Sequence, residues 1–328
     1  MISAELHSAT ESGANRLHGT MWPMSSMIVS LRRRVPKRLR SGALRLLGRR
    51  PAEPEHVIDL AIPRAFGESP GALPRTLRIR TPVRTYVSHL LAGSGLAGYE
   101  PDTLACFLAA IEERGSAPVF DVGANIGVFS WLAAALTPAI VVAFEPTPDL
   151  AAQMRAICAE NHLEVRVEEV ALGAAPGTAE LHISDKTDSS NSLRAGFRPS
   201  HRSVSVPVET IDGYAARTGV TPAVLKVDTE STEPDVLRGA AEVLAAGRPW
   251  IICEVLAGRT ESDLTAILEP LGYWWYRIDG PGPLERRHVI EGDPTYAHMN
   301  WLFAPEEPSP AFWQAFAGWR GSLAAIAK

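Results

Sequence analysis

The 328-residue chain has only three cysteines, Cys106, Cys158 and Cys253, far apart and in no Cys-x-x-Cys pair. That excludes a disulfide framework and a cysteine zinc cluster, and it points to a reducing cytoplasm with the thiols as small buried hydrophobes. Long apolar runs are missing too. The longest, Trp131 to Phe144, is broken by Thr137 and Pro138 and falls short of the roughly 20 residues of a bilayer-spanning helix. The first thirty residues lack a charged-then-apolar secretory pattern, and Met21, Met24 and Met27 are alternative starts. Acid is absent from residues 31–50, where nine Lys or Arg cluster, so the rest carries 23 basic against 37 acidic groups. A block of like charge repels itself, so residues 1–55 read as a solvated tail; weak contact with an anionic membrane surface is the alternative, and no nucleic acid is expected.

What is present is enough for a large core, since 46% of the residues are hydrophobic. Residues 56–115 form a lead-in, with Thr76–Arg80 alternating as an edge strand would and a helix starting near Pro101. Residues 116–306 form the main domain and 307–328 a helical C-terminal tail. Within the main domain, strands at 118–122, 140–144, 165–172, 223–227 and 250–255 alternate with helices at 126–135, 149–161 and 233–246. Apolar strands separated by amphipathic helices predict an α/β fold, a doubly wound and mostly parallel sheet covered on both faces. The segments YWWYRI and NWLFAP, after Gly272, complete its far edge. Between Gly177 and Val208 the rhythm breaks: AELHIS and SVSVPV flank a polar stretch and predict an inserted hairpin with a long loop.

The most informative stretch is Val119–Ser130, a buried strand that ends in an acid and a glycine turn and then opens a helix. Gly123 and Gly127 allow a sharp turn and close approach of backbone to a ligand. The spacing is G-x-N-x-G, with Asn125 and Val128 where a dinucleotide fingerprint requires glycines, which argues against NAD. Glu145 stands at the end of the next strand, where an acid can accept both hydroxyls of a ribose. Asp121 would lie toward the other end of such a ligand, or cap the helix.

The motifs DVGANIG (121–127), AFEP (143–146), ALG (171–173), VETID (208–212) and LKVDTESTEPDVLRGA (225–240) resemble the FkbM family of S-adenosylmethionine-dependent methyltransferases, over roughly Gly98 to Pro305. The resemblance implies a seven-stranded class I methyltransferase sheet, Rossmann-like, with an antiparallel far-edge strand. It also implies S-adenosyl-L-methionine as cofactor and methylation of a hydroxyl on a sugar, glycolipid or secondary metabolite. On the family's pattern the cofactor contacts fall on Glu100 of the Tyr-Glu-Pro lead-in, Asp121, Gly123, Asn125, Gly127, Glu145, Ala171 and Asp228. One position departs: Ser231 stands where the family has glycine, and at positive φ it would cost about 1 kcal/mol or more.

For the reacting half, strand alternation puts Lys226 and Asp228 on one face, with Glu230 in the turn beyond. Asp228 and Glu230 are the catalytic candidates. Asp228 could serve as general base, hold the cofactor's ammonium group, or bind a divalent metal such as magnesium with Glu230; equally, both could cap the next helix. Glu254 is a further candidate, direct or supporting. Arg194, Arg198 and Arg202, with Ser189, Ser190, Asn191 and Ser192, would rim the pocket for a polyhydroxylated acceptor or, equally, belong to a plain solvated loop. His182 and His201 border the same loop and carry no assignment. The cluster Tyr273–Tyr276 reads as core. The competing functional readings are an NAD(P)-dependent Rossmann oxidoreductase and a non-catalytic methyltransferase-like domain.

Overall fold

The computed structural model describes residues 55–63, 75–82, 86–184, 191–194, 196, 200 and 202–326, all within one compact unit, Pro54–Lys328. The basic block at 31–50, Ser189, Ser190, Arg198 and His201 lie outside the described residues.

Strands β1 (Glu55–Ile62) and β2 (Arg75–Pro82) form an antiparallel pair, and helix α1 (Tyr86–Ser94) follows. Helix α2 (Pro101–Glu113) opens at Pro101, whose fixed φ and missing N–H suit a first helical position. Next come β3 (Val119–Val122), α3 (Val128–Leu136), β4 (Val141–Phe144), α4 (Pro148–Glu160) and β5 (Val165–Glu168). The chain then leaves the main sheet. β6 (Ala171–Leu172), β7 (Gly177–Ile183) and β8 (Arg202–Glu209) make a separate three-stranded sheet, in which β7 and β8 are the expected hairpin. Helix α5 (Ile211–Thr218), β9 (Val224–Val227), α6 (Glu233–Arg238), β10 (Trp250–Glu254), α7 (Glu261–Leu268), β11 (Trp274–Arg277), β12 (Arg286–Arg287), β13 (Asn300–Ala304) and α8 (Pro310–Ala325) complete the described chain.

The central sheet runs β12-β11-β13-β10-β9-β3-β4-β5. Strands β5, β4, β3, β9 and β10 are mutually parallel, and β13 slots antiparallel between β10 and β11. The doubly wound, mostly parallel α/β sheet is thus present with eight strands rather than seven, the extra one being the two-residue β12. The order reverses at β3: β4 and β5 lie to one side, β9 and β10 to the other. In such sheets, ligands bind outside the carboxyl ends of the strands at this switch point.

Two expected elements are cut short. The strand expected over 165–172 ends at Glu168 because its partner β4, paired residue for residue, ends at Phe144; Ala171 and Leu172 pair with β8 instead. The helix expected over 233–246 breaks at Gly239, whose carbonyl accepts from Asp212 N at 2.9 Å. The Asp212 carboxylate then receives Glu242 N and Val243 N, both at 2.9 Å, and starts the next piece as a cap would.

One face of the sheet packs an edge-to-face aromatic trio, Phe120, Phe144 and Tyr214. On the other face α2 and α8 pack together. Ser309 caps α8 by accepting Phe312 N at 3.0 Å, and Phe312, Phe316, Trp319 and Leu323 bury one stripe. Each such burial stabilises the fold by about 1.5–3 kcal/mol. Trp319 Nε1 also donates to Glu112 of α2 at 2.9 Å.

Candidate active site

The β3 to α3 turn is built by backbone demands. Gly123 has φ +77°, and a Cβ there would stand 1.8 Å from Asp228 O, so only glycine lets β3 and β9 end side by side. Its N–H and that of Ala124 donate to Phe144 O at 3.0 and 3.1 Å, tying in the end of β4. Asn125 adopts the left-handed region at φ +55°, which asparagine tolerates. Gly127, at φ +94°, faces α4 rather than a ligand: a Cβ would lie 2.7 Å from Met154 Cγ and 2.9 Å from Trp131 Nε1. It lines neither of the two cavities at the strand ends.

The first cavity is a slot walled by Phe144, Leu150, Ala171, Leu172 and Leu181, with Glu145 at its polar end and Asn191 to Leu193 of the insertion bordering it. Glu145 is 5% exposed. Asn125 N donates to its Oε2 and Thr147 N to its Oε1, each at 2.8 Å. A carboxylate offers about four lone-pair sites, and, with the Thr147 side chain as a further partner, capacity still remains for a ligand's hydroxyl. Burial outweighs these amides and pushes the Glu145 pKa up to about 7. Asn191 Nδ2 donates to Thr147 Oγ1 at 3.3 Å, and Ser192 Oγ to Glu230 O at 2.7 Å, which fastens the insertion beside the slot. His182 pairs with Ser192 through the backbone.

The second cavity is a cleft of about 390 Å³ that shares Gly123, Asn125, Asp228 and Glu230 with the slot. Asp121 lines it and also caps α3, accepting Ser130 N at 3.1 Å and Ser130 Oγ at 2.6 Å, as the capping reading of the sequence has it. Burial pushes Asp121 up to about 6. Lys226, 1% exposed, sits across the sheet register from Asp121 and donates from Nζ to Asp228 Oδ2 at 3.0 Å, over the Phe129 ring. Burial alone would lower its pKa, but the charges of Asp228 and Glu100 outweigh that and hold it above the ordinary lysine value. Glu100 lines the cleft and accepts Asn300 Nδ2 at 3.0 Å; burial raises its pKa, against the pull of Lys226.

Asp228 and Glu230 do not cap α6. Glu233, the buried first residue of α6, instead braces the turn before the helix, its Oε1 accepting Thr229 N, Thr229 Oγ1 and Ser231 N at 2.9, 3.1 and 3.1 Å. Ser231 does take the strained conformation, φ +84°, and its buried Oγ has no hydrogen-bond partner among the described residues. Among the described residues no group of three or more His, Cys, Asp or Glu side chains is placed to hold a metal ion, and Asp228 Oδ2 is engaged by Lys226. Arg194 lies with the hairpin beside a separate surface cavity, not in the slot or the cleft. Tyr273, Trp275 and Tyr276 are buried core, as expected.

Sequence reasoning missed the wall contributed by Tyr296, His298, Met299 and Asn300. The available signal was direction: β13 runs antiparallel, so its first residue shares an edge with the last residues of β3, β9 and β10.

Fold and site together define an α/β protein with a crevice at the switch point of its sheet. Residues 121–275 match the family model described as "Methyltransferase FkbM domain". The chain is 35% identical over 125 residues to the 31-O-demethyl-FK506 methyltransferase FkbM of Streptomyces tacrolimicus, a match covering 37% of this chain and 46% of that protein. Among solved structures it resembles a methyltransferase FkbM from Methylobacillus flagellatus KT: TM-score 0.38, 17% identity, 58% of this chain and 43% of that one. It also resembles the magnesium protoporphyrin IX methyltransferase of Synechocystis PCC 6803 with bound SAM: TM-score 0.37, 12% identity, 67% of this chain and 84% of that one. At these TM-scores the strand order of the chain itself defines the fold.

Proposed function

We propose that the chain is an S-adenosylmethionine-dependent methyltransferase that methylates a hydroxyl oxygen of a sugar, glycolipid or secondary metabolite. The observation that carries this reading is the Glu145 carboxylate, oriented by two backbone amides at the mouth of an apolar slot that opens into an acidic cleft. Apolar walls suit an adenine, Glu145 suits ribose hydroxyls, and the acids of the cleft suit a cation. Glu100, Asp121, Gly123, Asn125, Ala171 and Asp228 would hold the rest of the cofactor, with Gly127 acting through the packing of α3. The cofactor, when bound, supplies an electrophilic methyl group on a sulfonium. Asp228, aimed by Lys226, receives the acceptor's hydroxyl proton, with Glu230 beside it. Hydroxyl methylation agrees with the name of the Streptomyces relative. A reducing cytoplasm suits the three free, buried thiols; among the described residues no helix is long and apolar enough to cross a membrane.

Thermal stabilisation by S-adenosylmethionine, S-adenosylhomocysteine, NAD and NADP tests the cofactor, because a ligand that binds only the native state raises the melting temperature. The two sulfur nucleosides should stabilise and the dinucleotides should not; the reverse would restore the oxidoreductase reading. Cofactor binding without transfer to any hydroxylated acceptor would favour a non-catalytic domain.

A further inference from the structure

Glu254, the last residue of β10, and Asn300, the first of β13, are register partners in the antiparallel pair. Side chains so opposed share a face, with Cβ atoms about 4.5–5.5 Å apart. Both line the cleft and both are buried, 5% and 6% exposed. Asn300 Nδ2 is committed to Glu100, but Asn300 Oδ1 and Glu254 Oε2 have no hydrogen-bond partner among the described residues. A buried acceptor left so costs about 1–3 kcal/mol, which a bound donor would relieve.

Two further observations describe that donor. Glu100, Asp121, Asp228 and Glu230 line the same cleft, where Lys226 is the sole Lys or Arg among the described lining residues and is already paired with Asp228. An anion brought there meets repulsion that low polarity does little to screen. Tyr296 also lines the cleft and is 50% exposed, offering an aromatic ring at its mouth.

We infer that Glu254 and Asn300 form the acceptor subsite, binding two neighbouring hydrogen-bond donors of a neutral or amine-bearing polyol ring whose apolar face rests on Tyr296, and that anionic acceptors are excluded. The inference rests on the methyltransferase reading. Glu254 lies two strands from β3 and Asn300 three, about 10 and 14 Å at sheet spacing, so both are separated from the turn at Gly123 to Asn125 assigned to the cofactor. Burial, with the nearby charges of Asp228, Glu230 and Glu233, raises the Glu254 pKa, and a hydroxyl or ammonium donor bound there would favour its ionised form.

The test is calorimetry on the full chain loaded with S-adenosylhomocysteine, using methyl glucoside, methyl glucosaminide and methyl glucoside 6-phosphate as probes. The first two should bind, with the phosphate at least about tenfold weaker. Glu254→Gln should weaken the first two by about tenfold and leave S-adenosylhomocysteine affinity within about twofold, and Asn300→Ala, which also releases Glu100, should weaken the first two by about tenfold. The proposal is overturned if the phosphate binds as well as the others, if no glycoside binds, or if both variants bind them normally. Loss of S-adenosylhomocysteine affinity in both variants would assign the two oxygens to the cofactor instead. Absence of S-adenosylhomocysteine binding by the unmodified chain would refute the methyltransferase reading itself, a result distinct from all of these. The charge series needs no variant, so misfolding of either cannot shield the idea.

Discussion

A Cβ atom on residue 123 would stand 1.8 Å from the carbonyl oxygen of Asp228. The glycine turn after β3 and the acidic turn after β9 are therefore one object, and neither can move without the other. Gly123→Ala should cost about 2–5 kcal/mol, combining backbone strain at positive φ with overpacking against main chain. Gly258→Ala, at φ +71° with nothing within 4 Å, is the control and should cost only about 1–2 kcal/mol. Urea denaturation of both variants checks the contrast; equal losses would refute the contact.

Ser231→Gly should stabilise the protein. Ser231 carries strain of about 1–2 kcal/mol at φ +84° and a buried hydroxyl lacking a described partner, against about 0.5–1 kcal/mol of extra chain entropy for glycine. A rise in melting temperature is expected, and a fall would mean that the hydroxyl is bound in solution.

Cofactor affinity should rise with pH between about 5 and 7.5. Burial holds Glu145 up at about 7 and Asp121 at about 6, while ribose hydroxyls and a cation both favour the ionised carboxylates. Below these values binding must release protons, so affinity falls as pH falls, by up to about tenfold per pH unit for each group. Glu145→Gln should weaken binding and flatten the slope near 7. For the unliganded fold the sign is opposite. The stability these raised groups contribute is complete below their unfolded values of about 4 and is lost as pH rises through 6 and 7. Calorimetric titration with S-adenosylhomocysteine across the range decides the first part, and melting temperatures across it decide the second.

Lys226→Met should lower kcat by about tenfold or more while the chain stays folded. Methionine fills the apolar space beside Phe129, and Asp228, with 30% of its side chain exposed, can rehydrate when its partner is gone. If Lys226 acts by aiming Asp228, then Lys226→Met in an Asp228→Asn background should cost almost nothing more in kcat. Additive losses in this double-mutant cycle would separate the two residues' roles.

Much of the molecule was legible in the chain because its signals are local. Alternating apolar strands and amphipathic helices announced the parallel sheet, and the acid–glycine turn at 121–127 with Glu145 announced the crevice. The long hairpin of β7 and β8 was readable from period-two alternation on both sides of a polar stretch. The break at Gly239 was not, because it depends on Asp212, which lies 27 residues earlier and competes for that backbone. The helix-packing role of Gly127 was equally hidden, since its neighbour Met154 arrives from α4.

The sequence by itself determined the class of fold, the ligand end of the sheet and the acids placed there, because strand ends and glycine turns are written in contiguous residues. Only the tertiary structure decided that Lys226 holds Asp228, that Glu233 rather than Asp228 supports the turn, and that Asn300 meets Glu254. Those pairings depend on strand register and on the insertion of β13 between β10 and β11, and hydrogen-bonding across a sheet joins residues whose separation along the chain leaves no pattern to read.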